Sequence, residues 1–491
     1  MVKFLIDSGV DIHAEDVQRK TALHYAVQEN RLESAKHLLD AGADPYKKSK
    51  YGDDILQTAC LKGSLTILNF LLEAVTYEPE RIAEAFELIG ATFLMEIHDM
   101  GSSLFFWRKA LEIRYEGRYT TYPKKPYTHP VLQIAEINSK DELEAISSSP
   151  EALKYQGVLM SERILGSYHK DTIFRYMFMG AAFADANDYQ PCVSFWNYAL
   201  WLKVRKETLL SCDTSFTAKA VVQIFVNMVF RGSLFNGNNN DENEEGEKKE
   251  YPVRFEDVLA TADHLNSGII NAVGLLSFKP QCQVQAANFD GVMITWLHLL
   301  LILLKMAKTD WEKKQVNAVV GPILRLNPRN QHGENVLHLS VKSVVMEEVD
   351  PLPLFPNVEV TEYLLDCGYS VEDRNGINET PLHLAAKTEN FSAKICSLLL
   401  DSGAHLDLED DRKIKPSDIF KTHSGQLNLV PYVSLKCLAT QALLKIFPDP
   451  VYFAYLNLPR ELHKFLALHI CKKKSPNHCG SLAIPVLDKL S

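Results

Sequence analysis

The sequence lacks paired cysteines, a long apolar run and any cluster of basic residues. Its nine cysteines stand singly, with no CxxC pair, which argues against a disulfide framework and for a reducing compartment. The longest apolar run, residues 292–304, is interrupted by Thr295 and His298 and is too short to cross a bilayer, so we expect a buried helix there. A net charge of −10 without a basic face argues against nucleic-acid binding.

Catalytic motifs are missing as well. The chain has no phosphate-cradling glycine loop, no nucleophile elbow and no histidine pair at metal-ligand spacing. We therefore expect a non-catalytic protein without cofactors. The first seven residues are too short for a signal peptide, and with the scattered cysteines this predicts a cytoplasmic protein, with the nucleus as a further compartment.

Repeat signatures are what the sequence does contain. Residues 21–26, Thr-Ala-Leu-His-Tyr-Ala, match the Thr-Pro-Leu-His-x-Ala pattern that opens an ankyrin repeat, and residues 54–59 form a weaker copy about 33 residues later. Gly9 and Gly42 recur at the same spacing and are expected to end outer helices, because glycine accepts the left-handed conformation. His24 is expected to bond backbone and tie neighbouring loops.

The sequence opens inside such a repeat. Residues 2–9 have the pattern of a second helix whose first helix is absent, so Phe4, Leu5 and Ile6 lack an upstream partner. We expect the sequence to be an N-terminally shortened form of a longer protein, or to start at a misassigned methionine.

The middle of the chain has residues at the offsets of a tetratricopeptide repeat. Gly180 and Trp196 form one copy, and Gly90 and Trp107 form a looser one. Two imperfect copies predict packed helical pairs more strongly than a peptide-binding superhelix. Residues 236–250 contain no apolar residue and are predicted to be disordered.

A second ankyrin block is predicted after the middle region. The signature returns at residues 335–341 and 380–386, and residues 415–418 begin a last partial repeat. This block is expected to hold the two helices that follow it at a fixed angle.

Those two helices are predicted from apolar spacing. In residues 434–443 the apolar side chains that share one helical face are Leu435, Leu438, Ala439 and Ala442. In residues 458–466, Pro459 suits a first helical turn, and Leu458, Leu462 and Phe465 line one stripe. One interpretation is that both helices dock onto a partner; the other is that they cap the repeat stack.

The pair resembles the box by which substrate receptors of cullin-RING ligases bind elongin C and then a cullin. Together with the preceding repeats, the chain resembles the Fem (feminization) family, the Fem-one homologues. The segments that carry this resemblance are residues 81–91, 161–166, 176–196, 364–368, 434–439 and 458–469. It implies a substrate receptor of a cullin-two RING ligase, working through elongins B and C and recognising degrons at the C-termini of substrates.

The resemblance assigns roles to particular residues. Elongin-binding residues are expected to be Leu435, Leu438 and Ala439, with Ala439 standing where the box usually has a cysteine. Cullin-binding residues are expected to be Leu458, Pro459, Leu462 and Phe465. Acidic tips of the first repeats would suit a basic degron, and the candidates there are Asp16, Arg19, Tyr51, Asp53 and Asp54. The alternative for these five is that they are ordinary turn residues.

The expected architecture is an all-α ankyrin solenoid with a helical, tetratricopeptide-like middle. The predicted segments are N-terminal ankyrin repeats at 1–78, a helical region at 79–235, a linker at 236–250, a helical region at 251–327, C-terminal ankyrin repeats at 328–432, an elongin- and cullin-binding box at 433–469 and a tail at 470–491. The competing function is a scaffold outside any ligase. In the tail region, His469, Cys471, His478 and Cys479 fit no standard zinc-finger spacing, so metal binding there is not expected.

Overall fold

The structure of the protein is a computed structural model. It describes residues 1–116, 121–124, 129, 131–231, 253–278, 282–346, 352–423, 426–447 and 458–469. The described residues form helices joined by turns and contain no β-strand, which confirms the all-α prediction. The chain divides into two compact units, Met1–Pro280 and Gln281–Ser491. This division falls inside the helical region expected at 251–327.

The first unit begins with five short helices. They are α1 (Val2–Asp7), α2 (Ala22–Gln28), α3 (Leu32–Asp40), α4 (Ile55–Leu61) and α5 (Leu65–Ala74). Leu23, Ile55 and Ile67 are fully buried in a shared apolar core. Gly9 and Gly42 follow α1 and α3 with φ angles of 82° and 93°, a conformation that costs glycine little. The predicted helix ends are therefore confirmed.

Longer helices make up the rest of this unit. They are α6 (Pro79–Thr92), α7 (Met100–Tyr115), α8 (Lys140–Ile146), α9 (Pro150–Leu165), α10 (Lys170–Asp185), α11 (Tyr189–Lys206), α12 (Cys212–Val226) and α13 (Phe255–Phe278). Short π-helical turns, Phe93–Ile97 and Asn227–Arg231, extend α6 and α12.

The pairs α6/α7 and α10/α11 share one packing arrangement. A Cβ atom added to Gly90 would collide with Trp107, and one added to Gly180 would collide with Trp196. Each indole Nε1 also donates a hydrogen bond to a backbone oxygen one turn before its glycine, at 3.0 and 2.9 Å. The two glycine–tryptophan contacts are equivalent, as expected for the helical pairs predicted from their spacing.

Charged side chains fill part of the interior between α6, α7 and α9. Glu87 is 1% exposed and accepts hydrogen bonds from Arg114 Nε at 2.7 Å and Nη2 at 3.0 Å. Burial opposes ionisation, yet the nearby charges of Lys124, Arg163 and Arg114 lower the pKa of Glu87 to about 2. Removing one partner would leave the buried carboxylate with incomplete compensation, which is costly.

The second unit starts with a long apolar helix. Its helices up to the last repeat are α14 (Gln283–Met306), α15 (Asp310–Leu326), α16 (Val336–Ser340), α17 (Val358–Asp366), α18 (Pro381–Ala385), α19 (Ala393–Asp401) and α20 (Pro416–Ile419). Among the described residues, α14 alone is long and apolar enough to cross a membrane, but 67% of its most apolar window is buried within the protein. The buried helix expected at residues 292–304 is confirmed.

Histidines connect successive repeats of this unit. His338 Nε2 lies 3.3 Å from the carbonyl oxygen of Glu379, and His383 Nε2 lies 3.3 Å from that of Ile414. In the first unit, His24 Nδ1 accepts a hydrogen bond from a backbone N–H at the start of its own helix. Burial lowers the pKa of all three histidines, that of His338 to about 4.

Two further helices, α21 (Leu435–Ile446) and α22 (Arg460–Leu468), follow the last repeat. The second begins later than predicted. Pro459 occupies the N-cap position, just before the first turn of the helix, and its ψ angle is extended (147°). A residue with that ψ cannot continue helical hydrogen bonding. The linker 236–250 and the tail 470–491, with Cys471, His478 and Cys479, lie outside the described residues.

Candidate functional site

The helix α21 turns its apolar side towards solvent. The residues predicted to share one face are all exposed: Leu435, Leu438, Ala439 and Ala442. Leu435 is 82% exposed and Leu438 is 49% exposed, whereas Cys437 and Thr440 on the other face are 8% and 3% exposed. A helix on the surface of a globular protein ordinarily buries its apolar stripe. The reversed arrangement leaves the stripe of α21 free to contact another molecule.

Polar contacts help to hold α21 in place. Ser434 caps the helix by accepting a hydrogen bond from the backbone N–H of Lys436 at 3.2 Å. On the inner face, Gln441 Nε2 donates to Asp407 at 2.9 Å. Leu435 and Leu438 stay exposed in this arrangement, whereas Leu443 and Leu444 are half-buried.

The stripe on α22 is divided between the protein and solvent. Leu466 is 3% exposed, and Arg374 Nη2 donates a hydrogen bond to the carbonyl oxygen of Leu468 at 2.8 Å. The Phe465 ring centroid lies 5.1 Å from that of His405. Of the residues predicted to contact a cullin, Pro459 is exposed and three are half-buried: Leu458, Leu462 and Phe465.

The first pair of candidate substrate residues, Asp16 and Arg19, lies on a turn. Asp16 accepts hydrogen bonds from the backbone N–H groups of Gln18 and Lys20, at 2.9 and 2.8 Å, and from the Tyr25 hydroxyl at 2.6 Å. The Tyr25 hydroxyl and the turn lower the pKa of Asp16. Arg19 is exposed. Asp16 thus shapes its own turn and keeps limited capacity to accept further bonds.

The second group of candidates is less accessible than the sequence implied. Asp53 and Asp54 are each 4% exposed. Asp53 bonds Ser49 and Thr58, and although burial opposes it, hydrogen bonds from His169 and Ser49 lower the pKa of Asp53. Asp54 caps α4 and pairs with Arg81. These carboxylates hold the repeat together and are not the exposed acidic tips that were expected. Asp54 is drawn to the free N–H groups at the start of its helix, and Asp53 to the hydroxyl groups of Ser49 and Thr58.

Tyr51 lies among positive charges. Lys170 Nζ is 4.9 Å from the centroid of its ring, and Lys206 Nζ is 5.2 Å from it. Cations over an aromatic face are attracted to the ring. Tyr51 therefore contacts lysine side chains of α10 and α11.

A cavity of about 380 Å³ opens beside α1. Its walls are largely apolar and include Leu5, Ile6, Tyr25 and Leu38. Phe4 on the same helix is 71% exposed. The first helix therefore combines unburied apolar side chains with an open groove.

One cluster was indicated by no sequence pattern. Potential metal-binding atoms of His405, Asp407, Cys437 and His469 lie within 4.8 Å of one another. Sequence spacing had grouped His469 with residues of the tail. Its neighbours in space come from the last repeat loop and from α21, too far away in the sequence for a spacing rule to join them.

Comparison with known proteins identifies the repeats. A model of ankyrin repeats in three copies matches residues 1–82, and a single ankyrin repeat matches residues 378–411. Protein fem-1 homolog C of Mus musculus is 30% identical over 438 residues, which cover 86% of this chain and 66% of that protein. The chain belongs to the Fem-1 family.

Other relatives extend the match along the chain. Protein fem-1 homolog A of Bos taurus is 27% identical over 511 residues, covering 94% of this chain and 74% of that protein. This Fem-1 family chain spans slightly less than two thirds, 66%, of fem-1 homolog C. The predicted family and the ankyrin repeats are confirmed, while the roles of the elongin-, cullin- and substrate-binding residues stay predictions.

Proposed function

We propose that this Fem-1 family protein is the substrate-recognition subunit of a cullin-RING ubiquitin ligase. It would join cullin-two and its RING protein through elongins B and C and bring proteins with C-terminal degrons for ubiquitination and proteasomal degradation. The observation that supports this most is the outward apolar face of α21. The chain itself would be a non-catalytic adaptor that raises the effective concentration of substrate lysines near the ubiquitin carrier.

Exposure of the α21 stripe has an energetic meaning. Burying a leucine side chain contributes about 1.5–3 kcal/mol, and the exposed Leu435 and Leu438 do not gain this contribution within their own chain. A partner with a matching apolar groove would supply it, as helices that dock into grooves do through anchors one turn apart. The half-buried Leu462 and Phe465 on α22 would add the cullin contact.

The decisive experiment uses a receptor with altered anchors. The double variant Leu435→Asp, Leu462→Asp should lose elongins B and C and cullin-two in a pull-down, because each aspartate places a charge in an apolar contact. We expect a weakening of at least about 100-fold, corresponding to roughly 3 kcal/mol or more. Circular dichroism should show the same helix content as the wild type.

A matched control comes from the segment just before α21. Val430 is 79% exposed and lies off the predicted contact, so Val430→Asp should bind elongins and cullin like the wild type. Retention of cullin by the double variant, or equal loss in both variants, would refute the proposed ligase contact.

Substrate recognition can be tested separately with peptides. We propose that degron peptides bind the first repeats, but the carboxylates of Asp53 and Asp54 are already engaged. A peptide ending in arginine should therefore bind this chain weakly in fluorescence polarisation, and Asp16→Asn should change that little. Tight, arginine-dependent binding abolished by Asp16→Asn would contradict this expectation.

The alternative is a scaffold whose repeats bridge partners outside any ligase. It is favoured by the partial burial of α22, where Leu466 is sealed into the protein. Co-purification distinguishes the two functions. A wild-type chain that recovers neither elongins nor cullin-two from cells would support the scaffold.

A further inference from the structure

Four side chains with metal-binding atoms converge where α21 and the end of α22 meet the last repeat. His405 Nδ1 lies 3.1 Å from Cys437 Sγ, and His469 Nε2 lies 3.3 Å from Asp407 Oδ1. All four atoms are within 4.8 Å of one another. In a tetrahedral zinc site with bonds of about 2.0–2.3 Å, the ligand atoms stand roughly 3.3–3.8 Å apart. Movements of about 1 Å would bring these four atoms to that spacing.

The atoms that face away from the centre are already hydrogen-bonded. His405 Nε2 lies 2.8 Å from a carboxylate oxygen of Glu372, and His469 Nδ1 lies 3.0 Å from the carbonyl oxygen of Phe465. The second carboxylate oxygen of Asp407 accepts from a glutamine of α21. Zinc-binding histidines commonly donate their outer N–H to a carboxylate or a backbone carbonyl, which directs the other nitrogen at the metal.

The cluster is also shielded from water. The side chains of His405 and Asp407 are 14% and 10% exposed, that of His469 is 2% exposed, and Cys437 is 8% exposed. We propose that His405, Asp407, Cys437 and His469 bind one Zn²⁺ ion. A thiolate with two imidazoles suits zinc better than magnesium or calcium, which prefer oxygen ligands. The Cys437 thiol would release its proton to solvent when the metal binds.

Such an ion would have a structural role. Its ligands come from three separate segments: the loop after α19, the first turn of α21 and the residue that follows α22. Four protein ligands close the coordination sphere and leave no position for a substrate. In α22 only Leu466 is deeply buried. The metal would fix this helix against the last repeat. This inference does not depend on the proposed ligase function.

Metal content tests the proposal directly. The full chain, purified without chelators, should carry about one zinc ion per molecule by inductively coupled plasma mass spectrometry. Two matched pairs separate ligands from bystanders. His469→Ala should lose the zinc, and His463→Ala, in the helix that ends just before His469, should keep it. Cys437→Ser should lose it, and Cys367→Ser, an exposed cysteine of the same unit, should keep it.

Cobalt substitution reports the thiolate itself. The Co²⁺-loaded wild type should show the visible bands of tetrahedral cobalt and a near-ultraviolet thiolate-to-metal band, and Cys437→Ser should lose the latter. Circular dichroism must show that each variant retains its helices. A double variant Cys471→Ser, Cys479→Ser should retain zinc.

Three results would overturn the proposal. The first is a wild-type chain that neither contains zinc nor takes it up. The second is a folded Cys437→Ser variant with undiminished zinc and an unchanged cobalt spectrum. The third is zinc that disappears with Cys471 and Cys479 but survives replacement of Cys437, which would place the metal in the tail.

Discussion

The two compact units contain buried titratable groups that are held in contrasting charge states. In the first unit, Glu87 and Glu162 stay ionised: burial opposes this, but neighbouring cations and hydrogen-bond donors lower the pKa of each to about 2. In the second unit, burial lowers the pKa of His298 and of His338 to about 4 and keeps both neutral. The two glutamates depend on compensating partners and the two histidines on the absence of charge. The two units should therefore differ in what destabilises them.

The largest effect is expected from breaking a matched charge in the first unit. Arg114→Met leaves Glu87 without two hydrogen bonds in the interior, and removing one partner of a buried pair costs about 3–5 kcal/mol. Urea denaturation should show this loss in the unfolding free energy of the first unit.

The control for this substitution lies on the same helix. Arg108 Nε lies 2.8 Å from Glu144 Oε1, and both side chains are exposed. Such a surface pair contributes less than about 1 kcal/mol to the free energy of unfolding. Arg108→Met should therefore change stability little. Equal losses in the two variants would contradict the importance assigned to the buried charges.

The next effect concerns acid and the second unit. The pKa of His338 is about 4 when folded and about 6.5 when unfolded, so the unfolded chain binds the extra proton. Stability from this histidine is complete above about pH 6.5 and is lost as the pH falls towards 4, by roughly 3 kcal/mol in total. The protection factors of amides in the second unit, obtained from hydrogen exchange after correction for the intrinsic pH dependence of exchange, should fall over this window.

A variant and the other unit serve as references for the acid effect. His338→Gln should reduce the pH dependence of the second unit between pH 6.5 and 4, and the remaining dependence comes from other buried histidines such as His298. The carboxylates Glu87 and Glu162 have lowered pKa values, so their contribution persists until the pH falls below about 4.5 and is lost towards 2. An unchanged pH profile in His338→Gln would show that this imidazole is not the sensitive group.

The smallest effect contrasts two leucines of the second unit. Leu466 is 3% exposed and Leu435 is 82% exposed. Leu466→Ala should cost about 2 kcal/mol or more, measured as a lower thermal midpoint, whereas Leu435→Ala should change stability by less than about 0.5 kcal/mol. A comparable loss from Leu435→Ala would mean that α21 packs its stripe inside the protein.

Local patterns in the sequence were enough to predict the repeats and the residues of α21 that share a face. Ankyrin signatures, the glycine at a helix end and a tryptophan opposite a glycine are decided by nearby residues or by a fixed spacing. The helical periodicity that groups Leu435 with Leu438 is equally local. It says which residues share a face, and the structure then shows that this face points outward.

The features that escaped prediction depend on distant parts of the chain. The burial of Asp54 is coupled to Arg81, which belongs to the next helical region. The histidine, aspartate and cysteine around His469 come from two other segments of the second unit. Neither arrangement leaves a periodic trace in the sequence, because contacts between separate elements are set by how those elements pack.

The apolar stripe on α21 also bears on how the protein can be kept in solution. Solvent-exposed leucines promote self-association, and a contiguous exposed apolar surface is an aggregation liability. Protein produced in excess of a partner that covers this helix should aggregate at high concentration. Co-expression with a covering partner, or polar replacements at positions 435 and 438, should then raise the soluble yield.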